Sequence, residues 1–233
     1  MLQQLASEPD AAALLFDVDG ALAPIVPRPE DARVPPETRS ELRRLNAKYG
    51  LVACVTGRDR DDARAIVGVD ELVYVGNHGL EFGADADAWA ERMQAFLATV
   101  TWQRTENKHF SAALHYRNVD DERSARAELE QIAKRARAEG FRTRFGRKVL
   151  EILPPLETNK GTAIRQLLAE RRLTHALYAG DDTTDLDAFD AVAKLELGIR
   201  VAVASAEGPP QLLANADIVV NSTEELLALL KSL

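Results

Sequence analysis

Two aspartates two positions apart, Asp17 and Asp19, close the apolar run Leu14-Leu15-Phe16, and Gly20 follows them. An apolar run ended by a turn residue reads as a buried strand of a parallel sheet. The carboxyl end of such a strand is where open α/β sheets hold their ligands. Gly20 permits the sharp exit. The plain alternative is a strand followed by an acidic turn, because Asp and Gly both favour turns. Three more stretches place polar groups in similar positions. Thr56-Gly57-Arg58 follows the apolar run 51–55, Lys160-Gly161 opens a helical pattern, and Gly180-Asp181-Asp182-Thr183-Thr184-Asp185 follows the apolar run 176–179. A lysine at the positive end of a helix is electrostatically misplaced, and a phosphate beside Lys160 would account for it. Acids at a helix start are favourable in themselves, so 181–185 also fits a simple acidic helix start.

These groups need elements to hold them. Residues 23–36 contain five of the ten prolines, Pro24, Pro27, Pro29, Pro35 and Pro36, which predicts an irregular loop. Helical spacing follows over 37–49 (Leu42, Leu45, Tyr49). A strand is expected at 51–55, a short helix at 59–67, and a third strand at 72–75 ending in Gly76-Asn77-His78-Gly79. The middle of the chain differs. The pattern there predicts a helix over 85–100, a strand over 110–116 and an amphipathic helix over 122–138, with Ala125, Leu129, Ile132, Ala133 and Ala136 on one stripe. Strands at 141–145 and 149–153 complete it, and the whole reads as a small separate α+β unit. From Lys160 the strand–helix rhythm returns, with strands at 177–179, 199–203 and 218–220, a helix at 184–191 that Thr183 or Thr184 is placed to cap, and a last helix at 223–231. The expected fold is α/β: a doubly wound, mostly parallel, Rossmann-like core of residues 1–83 and 155–233, interrupted by an inserted α+β cap of residues 84–154.

The chain has 233 residues, 46% apolar and 28% charged, which suits one or two globular domains. Its net charge of −8 argues against a general nucleic-acid binder, whose affinity comes from neutralising phosphates. The single cysteine, Cys54, excludes an intrachain disulfide and a thiolate metal cluster. No apolar stretch is long enough to span a bilayer, and residues 1–10 carry acids and no basic residue, unlike a secretory signal. A cytoplasmic enzyme is the default expectation. No feature fixes an oligomeric state; a monomer is compatible with the sequence.

The four stations, in this order and context, resemble those of the haloacid dehalogenase superfamily of phosphotransferases, and an insertion after the third strand resembles its large-cap branch. The resemblance implies Asp17 as nucleophile, forming an aspartyl-phosphate, and Asp19 as general acid and base. It implies Thr56 and Lys160 as donors to the phosphate, with Gly57 and Arg58 as further substrate-binding residues. It also implies a hard, oxygen-ligated Mg²⁺ held by Asp17, the Asp19 carbonyl and Asp181, with Asp182 and Asp185 at its edge.

Within the superfamily the chain is similar over nearly its whole length to trehalose-6-phosphate phosphatases. The resemblance lies in Asp17-Val18-Asp19-Gly20-Ala21-Leu22-Ala23-Pro24-Ile25, in Gly76-Asn77-His78-Gly79-Leu80-Glu81 and in Gly180 to Phe189. In the cap it lies in Glu106-Asn107-Lys108, His115-Tyr116-Arg117 and Gly146-Arg147-Lys148-Val149-Leu150-Glu151. It implies sugar contacts from Glu106, Lys108, Arg117, Lys148 and Glu151; charged partners make the stronger hydrogen bonds to hydroxyls. Glu106 and Lys108 share a face if that segment is extended, whereas Lys148 and Glu151, three apart, need a bulge or loop to do so. A solvated charged surface is the usual fate of such residues. Arg142, Arg144, Arg147 and Lys148, with no acid among them, would form a local positive field for an anionic sugar. Ala21 stands where the family usually has threonine, and Leu186 where it usually has glutamate. A phosphatase for sucrose-phosphate or a glycosyl-phosphoglycerate, and a silent sugar-phosphate sensor, remain the other readings. Hinges are expected near 81–84 and 153–158.

Overall fold

Uninterrupted apolar runs become the inner strands, and the polar stretches between them become helices and loops. A computed structural model describes every residue except Ala84, Asn118, Arg147, Ala206 and Glu207. In chain order the elements are α1 (Leu2–Ser7), β1 (Ala12–Phe16), α2 (Pro36–Asn46), β2 (Leu51–Val55), α3 (Arg60–Val67), β3 (Val73–Val75), α4 (Ala86–Leu97), β4 (Thr105–Asn107), β5 (Ala112–His115), α5 (Glu122–Ala138), β6 (Arg142–Gly146), β7 (Val149–Leu153), α6 (Lys160–Arg171), β8 (His175–Gly180), α7 (Asp185–Val192), β9 (Leu197–Val203), α8 (Pro210–Asn215), β10 (Ile218–Val220) and α9 (Thr223–Leu230). The chain divides into two compact units, Met1–Gly79 with Thr158–Leu233, and Leu80–Glu157.

The first unit holds a six-stranded parallel sheet in the order β10-β9-β8-β1-β2-β3. Strands β1, β2 and β8 are buried at every position, as expected of parallel strands covered on both faces. Strands after β1 step outward one way to β3, and β8, β9 and β10 step outward the other way. The winding therefore reverses between β1 and β8, where the crevice outside the carboxyl ends of such sheets takes ligands. The register pairs Phe16 with Ala179, and the Asp17 N–H donates to the Ala179 carbonyl at 2.9 Å. Asp17 and Asp181 are thus set on adjacent strand ends. One face of the core gathers Leu14, Phe16, Leu42, Leu45, Val52, Ile66, Leu177, Ile199 and Val201 among others.

The second unit is a four-stranded antiparallel sheet, β4-β5-β7-β6. Its inward face, with Leu114, Leu150 and Ile152, packs against Met93 and Phe96 of α4 and Leu129, Ile132, Ala133 and Ala136 of α5. Phe141 stands edge-on to Trp89 at 5.3 Å between ring centroids, a favoured aromatic geometry. The stripe predicted on α5 is the set of residues that this helix buries. Asp121 caps it, accepting from the Arg123 and Ser124 N–H groups at 3.0 Å, as N-cap carboxylates do.

The doubly wound core and the separate α+β unit are as expected. Three short elements are not: α1, β4 and α8. Strand β4 reads Thr-Glu-Asn and is exposed throughout, so it shows no apolar alternation and exists through its pairing with β5. The helix expected at 85–100 spans Ala86–Leu97, and the strand expected at 110–116 spans Ala112–His115. The expected cap of α7 is also different, because Thr184 makes no side-chain capping bond. The Asp185 carboxylate instead reaches back to the Asp181 and Asp182 N–H groups at 2.8 and 2.9 Å.

Candidate active site

Three strand ends in the first unit carry chemistry-bearing side chains: Asp17 after β1, Thr56 after β2 and Asp181 after β8. Lys160 comes to them from the first position of α6. Asn159 fixes that helix start through a capping box, its side chain accepting from the Thr162 N–H while the Thr162 hydroxyl accepts from the Asn159 N–H, both at 2.8 Å. Lys160 is only 1% exposed, and its Nζ lies 2.7 Å from Asp17 Oδ2 and 2.7 Å from Asp185 Oδ1. The misplacement of a cation at a helix start is thus answered within the protein by two carboxylates. Burial by itself would push the Lys160 ammonium down, but Asp17 and Asp185 outweigh it and hold it above the ordinary lysine range.

Asp185 is fully buried and fully engaged. One oxygen takes Lys160 and the Tyr178 hydroxyl, which donates at 2.6 Å, and the other takes the two backbone N–H groups of its own loop. It orients Lys160 and the 181–182 turn. Asp181 differs: no N–H or O–H among the described residues donates to its carboxylate, and Gly20 lies directly beneath it. At φ +77° a Cβ on Gly20 would fall 2.1 Å from Asp181 Oδ2, so only glycine lets the two loops meet. Asp17, Asp181 and Asp185 each offer an oxygen within 4.8 Å of the others. Burial, then the neighbouring acids, push Asp181 up to about 8, and burial pushes Asp17 up to about 7 against the pull of Lys160. One lysine does not balance three ionised carboxylates, and the cost of ionising them together, which these shifts express, fits a hard divalent cation that would offset it.

Thr56 is buried, its N–H donating to the Val75 carbonyl at 3.0 Å while its carbonyl accepts from the His78 N–H at 2.9 Å. Gly57 lies under the His78 ring, where a Cβ would meet it at 2.5 Å. Arg58 grips Asp19 with two bonds, Nε to Oδ2 at 2.6 Å and Nη2 to Oδ1 at 2.8 Å. The core unit therefore brings together Asp17, Asp19, Thr56, Gly57, Arg58, Lys160 and Asp181. The Asp182 side chain is exposed and stands outside the carboxylate cluster; its backbone N–H donates to Asp185, and its charge is one of those that raise Asp181.

In the second unit the register places Glu106, Ala113, Glu151 and Arg144 in one row across all four strands. Side chains in such a row share a face, here the one opposite the helices. Glu106 reaches Lys108 Nζ at 3.6 Å and His115 Nε2 at 3.1 Å. Glu151 pairs with Arg144 at 2.6 Å. Lys148 sits in the turn before β7 at φ +59° and pairs with Glu122 at the start of α5. Arg117 is exposed after β5, its carbonyl accepting from Arg104. Arg147 lies outside the described residues.

Residues 15–223 match the family model described as trehalose-phosphatase. The chain belongs to the trehalose-phosphatase family. It is 36% identical over 205 residues to the trehalose-phosphate phosphatase of Mycobacterium avium, which is 77% of this chain and 51% of that protein. It is also 36% identical over 214 residues to an uncharacterised glycosyl hydrolase of Mycobacterium tuberculosis, 81% of this chain and 16% of that protein. The chain thus spans about half the length of the first relative and much less of the second. Among solved structures, one titled a trehalose-6-phosphate phosphatase related protein superposes with a TM-score of 0.67 at 25% identity, covering 94% of this chain and 96% of that one. The family match extends across both units. No helix among the described residues is long and apolar enough to cross a membrane.

Sequence reasoning did not single out Tyr178 or Asp62, which hold Asp185 and Arg58, and it gave Arg144 a place in a positive field, not the role of partner to Glu151. Tyr178 sits inside an apolar strand and reads there as core. Arg144 faces Glu151 only through a register that composition does not reveal.

Proposed function

We propose that this chain is a phosphatase that hydrolyses trehalose 6-phosphate to trehalose and inorganic phosphate. The observation that carries the reading is the buried Asp17–Lys160–Asp185 arrangement facing Asp181 across Gly20, in a chain whose family match runs from 15 to 223. A carboxylate nucleophile splits one difficult displacement into two. Asp17 Oδ attacks phosphorus and the bond from phosphorus to the sugar oxygen breaks. The departing oxygen keeps the electron pair and takes a proton from Asp19. Water then attacks the aspartyl-phosphate, gives its proton to Asp19, and phosphate leaves with Asp17 restored. Thr56 and Lys160 donate to the phosphoryl oxygens, with Gly57 leaving room for their approach.

Asp17, the Asp19 carbonyl and Asp181 would hold Mg²⁺, with Asp182 as an outer partner; Asp185, its acceptors already filled, orients the loop. When bound, the cation neutralises phosphoryl oxygens and offsets their repulsion of Asp17. The insertion, residues 84–154, acts as a cap on a core of 1–83 and 155–233. Its face bearing Glu106, Lys108, Lys148 and Glu151, with Arg117 nearby, supplies sugar contacts, while the core reads only the phosphate. The test is phosphate release from a panel of sugar phosphates with and without Mg²⁺. Turnover of trehalose 6-phosphate above sucrose-phosphate and glycosyl-phosphoglycerate, abolished by chelator, is expected. Preference for another sugar would move the substrate, and no release from any ester would leave a sugar-phosphate sensor.

A further inference from the structure

We propose that Arg58 is a positioning residue for Asp19 and not a contact for the substrate. A guanidinium has five N–H donors in a rigid plane. Four of those on Arg58 are committed: Nε to Asp19 Oδ2 at 2.6 Å, Nη2 to Asp19 Oδ1 at 2.8 Å and to the Pro29 carbonyl at 3.0 Å, and Nη1 to Asp62 Oδ2 at 2.8 Å. The side chain is 14% exposed. Helix α3 holds the fork through Asp62, four residues on, and the proline-rich loop holds it through Pro29. A group anchored from two elements cannot swing toward an anion without breaking those bonds. Two parallel bonds from a planar fork fix the orientation of a carboxylate as well as its distance. No other side chain among the described residues bonds the Asp19 carboxylate. The Asp19 backbone bridges to Ala23, so the residue is set by its main chain on one side and by Arg58 on the other. Arg58 thereby determines where the proton is delivered and collected.

This rests on the proposed function in one respect, the role of Asp19 in proton transfer. A sugar alkoxide is a poor leaving group and needs that proton as its bond to phosphorus breaks. The p-nitrophenolate anion leaves without it. The ratio kcat/KM runs from free enzyme to the first irreversible step, here formation of the aspartyl-phosphate, so the later attack of water does not enter. A misaimed Asp19 should therefore be felt on the sugar ester and spared on the aryl ester. If Arg58 instead bound the phosphate, its removal would be felt on both.

The experiment compares Arg58→Ala and Arg58→Lys with the wild-type chain, in Mg²⁺, on trehalose 6-phosphate and p-nitrophenyl phosphate, with inorganic phosphate as a competitive inhibitor. Arg58→Ala should lose about 10²-fold or more in kcat/KM on the sugar ester, and at least an order of magnitude less on the aryl ester. Inhibition by phosphate should be unchanged, and added guanidinium should restore part of the loss. Arg58→Lys keeps the charge without the fork and should show the same pattern at smaller scale; it carries the test if the alanine variant does not fold. Equal losses on the two esters, or weakened inhibition by phosphate, would overturn the assignment. A wild-type chain that cleaves the aryl ester but no sugar phosphate would instead sink the proposed function, and glycerol phosphate then serves as the alkyl ester for the same comparison.

Discussion

The two units use charge in opposite ways. Of the 29 basic and 37 acidic residues, 13 of each fall in Leu80–Glu157, so the whole net charge of −8 sits in the core unit. There, Asp17, Lys160 and Asp185 are buried within 2.7 Å contacts, and burial moves the Asp17 and Asp181 carboxyls far from their ordinary range. Such groups are costly to place and strongly perturbed, as groups that do chemistry tend to be. In the inserted unit, Glu106, Lys108, Arg144, Lys148 and Glu151 are paired at the surface. Exposed pairs are worth only about 0–1 kcal/mol. They exchange partners at little cost, which suits the sugar contacts proposed for this face. The contrast teaches that buried charge in the core is locked into fixed partners, while exposed charge in the insertion is free to change them, the division of labour that the proposed function requires.

The contrast can be broken most severely at the nucleophile. Asp17→Asn should be inactive on every ester, since the amide is a poor nucleophile; turnover at the wild-type rate would refute the covalent route. Asp19→Asn should slow the sugar ester by about 10²–10⁴-fold, measured as kcat/KM in Mg²⁺. In the insertion, Lys108→Ala should cost about 1.5–3 kcal/mol of transition-state binding, roughly ten- to a hundredfold in kcat/KM on trehalose 6-phosphate. Its effect on p-nitrophenyl phosphate should be slight.

A further effect is expected on stability. Asp17 and Asp181 are raised to about 7 and 8, against about 3.9 for an unfolded aspartate. Between those limits the folded, cation-free protein holds protons that the unfolded chain has released. Its stability therefore falls as pH rises from about 4 to 8. A cation removes that penalty, so the gain in melting temperature from added Mg²⁺ over chelator should grow from acid to alkaline pH. A gain that shrinks across that interval would contradict the placement of the cation among these acids.

Much of this is legible in the sequence because it is carried by local signals. Strand β2 shows itself in 51–55, and helix α5 in its periodic stripe. The stations Asp17, Thr56, Lys160 and Asp181 each stand where an apolar run ends or a helix begins. What is not legible depends on pairing. Nothing in Thr105-Glu106-Asn107 marks a strand until β5 lies beside it. Lys160 reads in sequence as a cation in need of a phosphate, but Asp185, twenty-five residues later, already answers its charge together with Asp17. Arg58 next to Thr56-Gly57 suggests a substrate contact, whereas the fold turns its fork onto Asp19.

The most direct test of the division between the units is Glu151→Ala, assayed on trehalose 6-phosphate and p-nitrophenyl phosphate in the same Mg²⁺ buffer. Glu151 lies in the insertion, and its partner Arg144 belongs to the same sheet. The account predicts a loss in kcat/KM of roughly ten- to a hundredfold on the sugar ester and little change on the aryl ester. An equal loss on both would make Glu151 structural, and no loss on trehalose 6-phosphate would return the charged face to plain solvated surface and contradict the account.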